Sequence, residues 1–297
     1  MIRLGIVSLE STHVDAFCRI FNSDSSEPSH LDGAQVIALC SQDNSPERIE
    51  QLQHDFGIET VLYSPADLVP LVDAALMLGR AGSRHAAQAM PFLEAGLPCF
   101  VDKPFAHDLD DAWAMVQAAE AHGAPLMSCS GLRFCDELAA ALDELQEEVL
   151  HASLVGPGEL YFYGIHLTDL LNAVMGPGVE CVANLGERDF DLLSVSYGDG
   201  RSASLQLLRN AQVRHQGELF TDRACARFVV ESHGFYRNTM VEFLEMVETG
   251  TPLLEYASTV ETVAMLVAAD LSARQGGRAV RLSELRPSRE QMVPSLR

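Results

Sequence analysis

The first 128 residues alternate between short apolar segments and amphipathic segments with helical spacing. The apolar segments are rich in branched residues and have no polar face, which is typical of parallel strands buried on both sides. They cover residues 2–7, 36–40, 60–63, 74–78, 99–101 and 125–128. Among the helical segments, one has Ser45 and Pro46 as N-cap and first residue, and another runs from Asp108 to Gly123. Repeated strand–helix units predict a doubly wound parallel sheet with helices on both faces.

The second half of the chain has a different pattern. Helical spacing predicts helices over about 134–150, 166–175, 234–249 and 257–274. A Gly-Pro-Gly break at 156–158 is followed by a short strand-like segment, and further strands are predicted near 179–186, 190–197, 201–208 and 225–231. A hairpin turn predicted at 197–201 joins two of them, so this part is predicted to form an α+β domain with an open antiparallel sheet. A chain of 297 residues suits two domains, which we place at 1–128 and 129–297.

Charge and composition exclude several function classes. The chain has 42 acidic and 20 basic residues and a net charge of −22, which disfavours binding to nucleic acid or to an anionic membrane. No apolar run approaches the roughly 20 residues that span a bilayer. The first residues enter a strand without a basic segment before it, so no secretory signal is predicted. Seven cysteines without a CxxC pair favour reduced thiols in the cytoplasm and disfavour a cysteine zinc site.

The basic residues are 19 arginines and a single lysine, Lys103. It follows the fifth predicted strand, in the sequence Cys99-Phe-Val-Asp-Lys-Pro-Phe. Ligands of doubly wound sheets bind at the carboxyl ends of the strands, and arginine does not replace lysine where a compact amine is needed. We therefore interpret Lys103 as a functional residue, oriented by Asp102; the alternative is chance retention at the surface.

The loop after the first strand reads GIVSLESTHV over residues 5–14. A dinucleotide fingerprint places glycines where this loop has Ser8, Glu10 and His13. The helix N-terminus, capped by Ser11 or Thr12, still favours an anion, whereas the Glu10 carboxylate would face phosphate oxygens. The alternative interpretation of Glu10 is a solvated loop acid.

Two segments carry a family resemblance. The run from Pro91 through Asp102-Lys103-Pro104 resembles the Gfo/Idh/MocA (glucose–fructose oxidoreductase / inositol dehydrogenase) family, whose members have Glu-Lys-Pro at this point, and His85 falls where the family often has a histidine. Tyr163-Gly-Ile-His166-Leu-Thr-Asp169 resembles the family's Gly-x-His-x-x-Asp segment. The resemblance implies that His166 is the general acid/base, a role suited to its near-neutral pKa.

The chain departs from the family pattern in ways that define a subgroup without the glycine-rich fingerprint. Phe162 stands where many members have an aspartate, between Tyr161 and Tyr163. The segments GIVSLESTH (5–13), GRAGSRH (79–85) and YFYGIH (161–166) fit this subgroup. Arg133, in the link to the second domain, is expected to bind a carboxylate or phosphate of a ligand; the alternative is an inter-domain ion pair.

The resemblance implies a Rossmann-type nucleotide-binding domain and a substrate-binding and oligomerisation domain. It implies an NAD- or NADP-dependent oxidoreductase acting on a hydroxyl or carbonyl group of a sugar, polyol or cyclitol, in a homodimer or homotetramer without a metal. The implied catalytic residues are Lys103, His166, Asp169 and Tyr163, and the implied substrate-binding residues are Arg133 and Tyr161. The cofactor would be bound by Gly5, Ser8, Leu9, Glu10, Ser11, Thr12, His13, Ser41, Gly79, Arg80, His85 and Asp102.

Other functions stay open at this point. The substitutions at Ser8, Glu10, His13 and Phe162 favour a non-catalytic dehydrogenase-like protein that binds a ligand or regulates. A lyase, an isomerase or a metal-assisted enzyme could use the same crevice. Beyond the second strand, Asp43 is available for a ribose hydroxyl and Ser41 for a phosphate, so NAD and NADP are not distinguished.

Overall fold

A six-stranded parallel sheet forms the first half of the molecule. The structure is a computed structural model and describes residues 1–285. Its strands are β1 (Ile2–Val7), β2 (Ala34–Cys40), β3 (Thr60–Leu62), β4 (Ala74–Met77), β5 (Cys99–Val101) and β6 (Leu126–Met127). Their order in the sheet is β3-β2-β1-β4-β5-β6, with every neighbouring pair parallel. The predicted doubly wound sheet is therefore confirmed, and the strand order reverses between β1 and β4.

Five helices connect these strands. They are α1 (Thr12–Asn22), α2 (Pro46–Phe56), α3 (Pro65–Leu68), α4 (Gly82–Glu94) and α5 (Leu109–His122). Ser45 caps α2 by accepting a hydrogen bond from the Arg48 backbone N–H, and Asp108 caps α5 in the same way. Gly123 ends α5 with φ +65°, a left-handed conformation that a residue without Cβ adopts readily. The helix boundaries predicted from these caps are confirmed.

The second half contains a seven-stranded sheet covered by helices on one face. Its elements are α6 (Asp136–Leu145), β7 (His151–Pro157), α7 (Leu160–Met175), β8 (Val179–Asn184), β9 (Phe190–Tyr197), β10 (Ser202–Leu208), β11 (Gln216–Phe220), β12 (Cys225–Val229), α8 (Phe235–Thr249), α9 (Tyr256–Arg274) and β13 (Val280–Arg281). Short 3-10 helices cover Gly131–Phe134 and Leu282–Glu284. The strand order is β12-β11-β7-β10-β9-β8-β13. All pairs are antiparallel except the central β7–β10 pair, which is parallel, so the predicted antiparallel sheet is in fact mixed.

The segment around 156–163 differs from the sequence prediction. Gly156 lies inside β7 and does not break it. A Cβ at this position would lie 2.8 Å from the His215 ring, so the packing there requires glycine. The break comes at Gly158, whose φ is +91°. Helix α7 then begins at Leu160, six residues before the predicted start, and the aromatic residues 161–163 form its first turn. Strands β7, β11 and β13 were not predicted, and the strand-like segment predicted after the break is instead the start of α7.

Helices from the end of the chain return to the first sheet. On one face, α8 contributes Met240, Phe243 and Met246 to the core that α1 forms with the strands. On the other face, α9 contributes Val260 and Val263 to the core formed with α4 and α5. Both cores of the first half therefore depend on residues after position 235, and the predicted boundary at residue 128 stays a prediction. Within residues 1–285, no helix has the length and apolar sequence needed to cross a bilayer.

Candidate functional site

A cavity of about 330 Å³ lies at the carboxyl end of the parallel sheet, where the strand order reverses. This is the position where doubly wound sheets bind ligands. The loops after β1, β4 and β5 form one side, and the first turns of α7 and α8 form the other. Its lining residues are Glu10, Ser11, Thr12, His13, Arg80, Asp102, Lys103, Phe162, Tyr163, His166 and Tyr236. Residues from both halves of the sequence, including Lys103 and His166, thus face one shared space.

Lys103 is oriented by a buried carboxylate. Asp102 is 3% exposed; its Oδ1 accepts the Lys103 backbone N–H at 2.7 Å and its Oδ2 pairs with His13 Nδ1 at 2.6 Å. Burial opposes ionisation of Asp102, but the interactions with His13 and Lys103 outweigh it and lower its pKa. The Lys103 ammonium itself makes no hydrogen bond or ion pair to any residue in 1–285. It is therefore available to a ligand in the cavity.

Ser130, in the segment between the two halves of the chain, fixes the His166 ring by a hydrogen bond. The Ser130 Oγ lies 2.6 Å from His166 Nδ1, so Nε2 is the ring nitrogen left for a ligand. Burial lowers the pKa of His166 well below its usual value, and the nearby Lys103 and His215 act in the same direction. His166 is therefore neutral at physiological pH and able to accept a proton.

Asp169 lies behind His166 and does not line the cavity. It is 3% exposed and accepts the Ser130 backbone N–H at 3.0 Å and an Arg133 guanidinium N–H at 2.8 Å. Burial raises the pKa of Asp169, and Arg133 and Ser130 offset only part of that effect. The guanidinium of Arg133 is used in this ion pair, whose two members both belong to the second half of the chain, so the pair is not the inter-domain one that the sequence left open. Hydrogen bonds thus link Arg133 to Asp169, Asp169 to Ser130 and Ser130 to His166.

The loop after β1 carries side chains where a dinucleotide fingerprint places glycines. Ser8 has φ +65°, the left-handed conformation that glycine adopts most easily. Its Oγ accepts a hydrogen bond of 2.8 Å from Gln88 Nε2. Glu10 is exposed and reaches across to the loop after β4, where its carboxylate accepts the Arg80 backbone N–H at 3.1 Å. A Cβ at Gly79 would lie 3.4 Å from the Glu10 carboxylate, so the two loops approach closely there.

Several predicted site residues lie outside the cavity. Gly5 is inside β1, where a Cβ would meet Val72 at 3.0 Å. His85 is fully buried, with its ring nitrogens 3.0 Å from the Pro104 carbonyl and 2.8 Å from the Gly79 carbonyl, so it joins two loops beneath the site. Leu9 and Ser41 are buried at the ends of their strands.

Tyr161 also points away from the cavity. Its ring contacts His107 at 4.9 Å between centroids and lines a separate apolar groove against α9. It therefore supports the neighbouring aromatic side chains and does not face Lys103 or His166.

Sequence reasoning did not identify three residues of the site. Ser130 gives no signal beyond being a small polar residue in the link between domains, and Tyr236 comes from a distant helix, where its ring lies 5.0 Å from that of His13. The His215 ring is 5.1 Å from His166, and burial lowers the pKa of His215 to about 4. Within residues 1–285, no three His, Cys, Asp or Glu side chains are arranged to hold a metal ion.

Comparison with known proteins finds similarity to oxidoreductases over part of the chain. Residues 21–129 match the model of the oxidoreductase family described as having an NAD-binding Rossmann fold, GFO_IDH_MocA. D-apiose dehydrogenase of Paraburkholderia graminis is 32% identical over 105 residues, which are 35% of this chain and 28% of that protein. Inositol 2-dehydrogenase of Agrobacterium fabrum is 28% identical over 128 residues, 42% of this chain and 37% of that protein. The chain thus spans less than two fifths of the length of these two curated relatives.

One solved structure extends the likeness over the whole fold. The crystal structure of scyllo-inositol dehydrogenase from Lactobacillus casei, with NAD(H) and scyllo-inositol bound, superposes with a TM-score of 0.82 at 15% identity. The superposition covers 95% of this chain and 99% of that one. At this identity, the likeness establishes the two-part fold.

Proposed function

We propose, from the match of residues 21–129 to the Gfo/Idh/MocA oxidoreductase family model and from the similarity to apiose and inositol dehydrogenases, that the chain is a member of that family and an NAD(P)-dependent dehydrogenase acting on a hydroxyl or carbonyl group of a sugar, polyol or cyclitol. The observation that carries the proposal is the shared cavity of Lys103 and His166. An ammonium that is free to bind an oxygen and a neutral imidazole that is free to accept a proton face the same space. Those are the two groups that oxidation of a hydroxyl requires besides a hydride acceptor.

The residues at the cavity fit a nicotinamide dinucleotide with one discordant group. Ser8 has the left-handed backbone conformation that glycine adopts most easily, and Gly79 leaves room where the loops after β1 and β4 approach. The first turn of α1, with Ser11 and Thr12, presents a helix N-terminus to the cavity and favours a phosphate. The Glu10 carboxylate does not fit, because it would repel a phosphate, but its side chain is exposed and can rotate away from Arg80. We therefore assign the phosphates to the first turn of α1 and the nicotinamide end to the region of Gly79 and Lys103.

Lys103 would bind the reacting oxygen. Its ammonium donates a hydrogen bond to that oxygen and stabilises the negative charge that develops as the proton leaves. Asp102 accepts hydrogen bonds from His13 and from the Lys103 backbone N–H, and these fix the base of the Lys103 side chain. The bound nicotinamide supplies the hydride acceptor or donor.

His166 would exchange the proton of the substrate hydroxyl. When the Nδ1 proton is donated to the Ser130 Oγ, the Nε2 lone pair is free to accept the hydroxyl proton. Asp169 holds the Ser130 backbone and is itself held by Arg133, so these residues act as positioning residues. Tyr163, whose ring lies 6.2 Å from that of His166, would limit access of water. In the reductive direction, the same nitrogen returns the proton.

The test uses the fact that Lys103 is the only lysine of the chain. Reductive methylation followed by mass analysis of peptides reports the reactivity of this one side-chain amine. NADH or NADPH with a cyclic polyol should protect Lys103 from methylation, and either cofactor should raise the melting temperature, since saturation at a hundred times Kd adds about 2.7 kcal/mol of stability. Oxidation of myo-inositol, scyllo-inositol and D-apiose is followed by NADH absorbance. The matched variant Lys103→Met should bind cofactor and lose turnover.

Absence of a melting shift with millimolar NADH and NADPH would contradict the proposal. It would favour a second candidate function, a ligand-binding protein without turnover. The specific observation behind that alternative is the contact of the Glu10 carboxylate with the Arg80 N–H, where a dinucleotide would otherwise find a donor.

The assembly and location of the protein are also proposals. We propose a homodimer or homotetramer in the cytoplasm, in line with the sequence prediction. Light scattering coupled to size exclusion measures the subunit number, and a monomer at micromolar concentration would contradict the assembly.

A further inference from the structure

Two large aromatic side chains are exposed beside the proposed catalytic residues. Phe162 is 44% exposed and Tyr163 is 43% exposed, and both line the cavity that contains Lys103 and His166. We call this pair the aromatic wall. Neighbouring exposed aromatic residues in a concave site mark a surface that contacts a ligand more often than chance exposure.

The aromatic wall is fixed in place by residues behind it. Gly158 has φ +91°, and a Cβ at that position would lie 2.3 Å from the Tyr163 ring, so the ring occupies space that only glycine leaves. Tyr161 packs edge-on against Phe162 with ring centroids 4.9 Å apart, and Tyr161 rests in turn on His107. The two rings are therefore supported from behind, and on the cavity side the ring of Tyr163 lies 6.2 Å from that of His166.

The opposite side of the cavity is polar and charged. It carries the carboxylate of Glu10 and the ammonium of Lys103, whereas the imidazole of His166 lies on the same helix as the aromatic wall. A ligand that satisfies both sides needs hydroxyl groups around its edge and an apolar face. In a cyclic polyol with equatorial hydroxyls, the axial C–H bonds form such a face, and their positive hydrogens suit the negative face of an aromatic ring.

We propose that the aromatic wall is the specificity determinant of the site and binds the C–H face of a cyclic polyol whose hydroxyls are equatorial. An axial hydroxyl on that face would be pressed against a ring and lose its hydrogen bonds to water. An open-chain polyol presents no continuous C–H face. This inference rests on the proposed function, because it names the substrate class of the same site.

The experiment measures binding of two inositol isomers to protein saturated with NADH. Scyllo-inositol has only C–H bonds on both faces of its ring, whereas D-chiro-inositol carries one axial hydroxyl on each face. Calorimetry should give binding of scyllo-inositol about tenfold tighter than D-chiro-inositol, the size expected for one good aromatic contact. D-glucitol, an open-chain polyol, should bind no better than D-chiro-inositol.

Variants connect this preference to the aromatic wall. Phe162→Ser removes an exposed ring without disturbing the core and should reduce the preference to about twofold. Gly158→Ala should act in the same direction by displacing Tyr163. Tyr63→Ser is the matched control, because Tyr63 is 72% exposed and does not line the cavity, and it should keep the preference.

Two results would overturn the inference. One is equal binding of the two inositols, or binding of neither, by the wild type; the other is a preference that Phe162→Ser leaves intact. NADH fluorescence, recorded in the same samples, separates these results from a failure of the proposed function. If NADH does not bind, the dehydrogenase proposal fails, and the isomer preference is then measured on the protein alone with the same expected and contradicting results.

Discussion

Replacing Arg133 with methionine tests the buried chain of contacts behind His166. Arg133 and Asp169 have side chains only 11% and 4% exposed, and their N–O distance is 2.8 Å. Methionine keeps most of the volume and removes the charge, which leaves the Asp169 carboxylate buried with only the Ser130 N–H as a partner. Loss of one partner from a buried ion pair costs about 3–5 kcal/mol of stability. We expect Arg133→Met to lower the free energy of unfolding by about that amount at pH 8.

The loss should be smaller at pH 5, and the sign follows from Asp169. Burial already raises the pKa of Asp169 above its unfolded value, and loss of Arg133 raises it further. The folded variant therefore holds a proton that the unfolded chain releases, so its stability falls as pH rises through the interval between the two pKa values. Protonation at pH 5 removes part of the buried charge and restores part of the stability.

Urea unfolding followed by circular dichroism at pH 8 and pH 5 gives both quantities. Arg3→Met is the control, because Arg3 and Asp73 form an ion pair with side chains 50% and 40% exposed. That pair should contribute little to stability, because solvent screens an exposed ion pair. If Arg133→Met were as mild as the control, or equally destabilising at both pH values, the reasoning about Asp169 would be refuted. Unchanged stability with weaker ligand binding would instead restore Arg133 as a substrate residue.

Three further predictions concern other parts of the molecule. Glu10→Gln should bind NADH about tenfold tighter in a fluorescence titration, because it removes a negative charge from the loop that would hold the phosphates, whereas Glu94→Gln should not; equal affinities would show that Glu10 does not oppose the cofactor. Burial lowers the pKa of His215 to about 4 in the folded protein. As pH falls, the unfolded chain therefore binds this proton before the folded protein does, so the free energy of unfolding decreases from about pH 6.5 to 4. His215→Gln should reduce the slope of unfolding free energy against pH in that range by up to one proton, and an unchanged slope would contradict the assignment. Ellman's reagent should label Cys225 quickly and Cys181 slowly in the folded protein, and labelling of any buried thiol before unfolding would contradict the structure; the buried thiols are Cys18, Cys40, Cys99, Cys129 and Cys135.

The parallel sheet was predictable because its signals are local. Each strand is a short apolar segment, and the caps at Ser45, Asp108 and Gly123 fix helix ends through hydrogen bonds within a few residues. The start of α7 was mispredicted since Gly156 and Gly158 look alike in sequence. Only the tertiary contact of His215 with Gly156 distinguishes the glycine that packs inside a strand from the one that turns the chain.

The cavity was only partly accessible to sequence reasoning. Lys103 was visible as the sole lysine at a strand end, and His166 through its resemblance to a motif. Ser130 and Tyr236 reach the same region from distant parts of the chain, and no spacing rule connects them to His166 or His13. Tyr161 points away from the cavity and Tyr163 lines it, although they are only two residues apart. Their directions depend on the residue at which α7 begins.

The return of α8 and α9 to the first sheet also has a consequence for how the chain folds during synthesis. Met240 and Phe243 cover one face of that sheet and Val260 and Val263 the other, so a nascent chain that ends before them leaves apolar surface uncovered on both sides. The first half can reach its final packing only after the last helices have left the ribosome. Expression of residues 1–128 alone would therefore yield an aggregation-prone fragment rather than a folded nucleotide-binding domain.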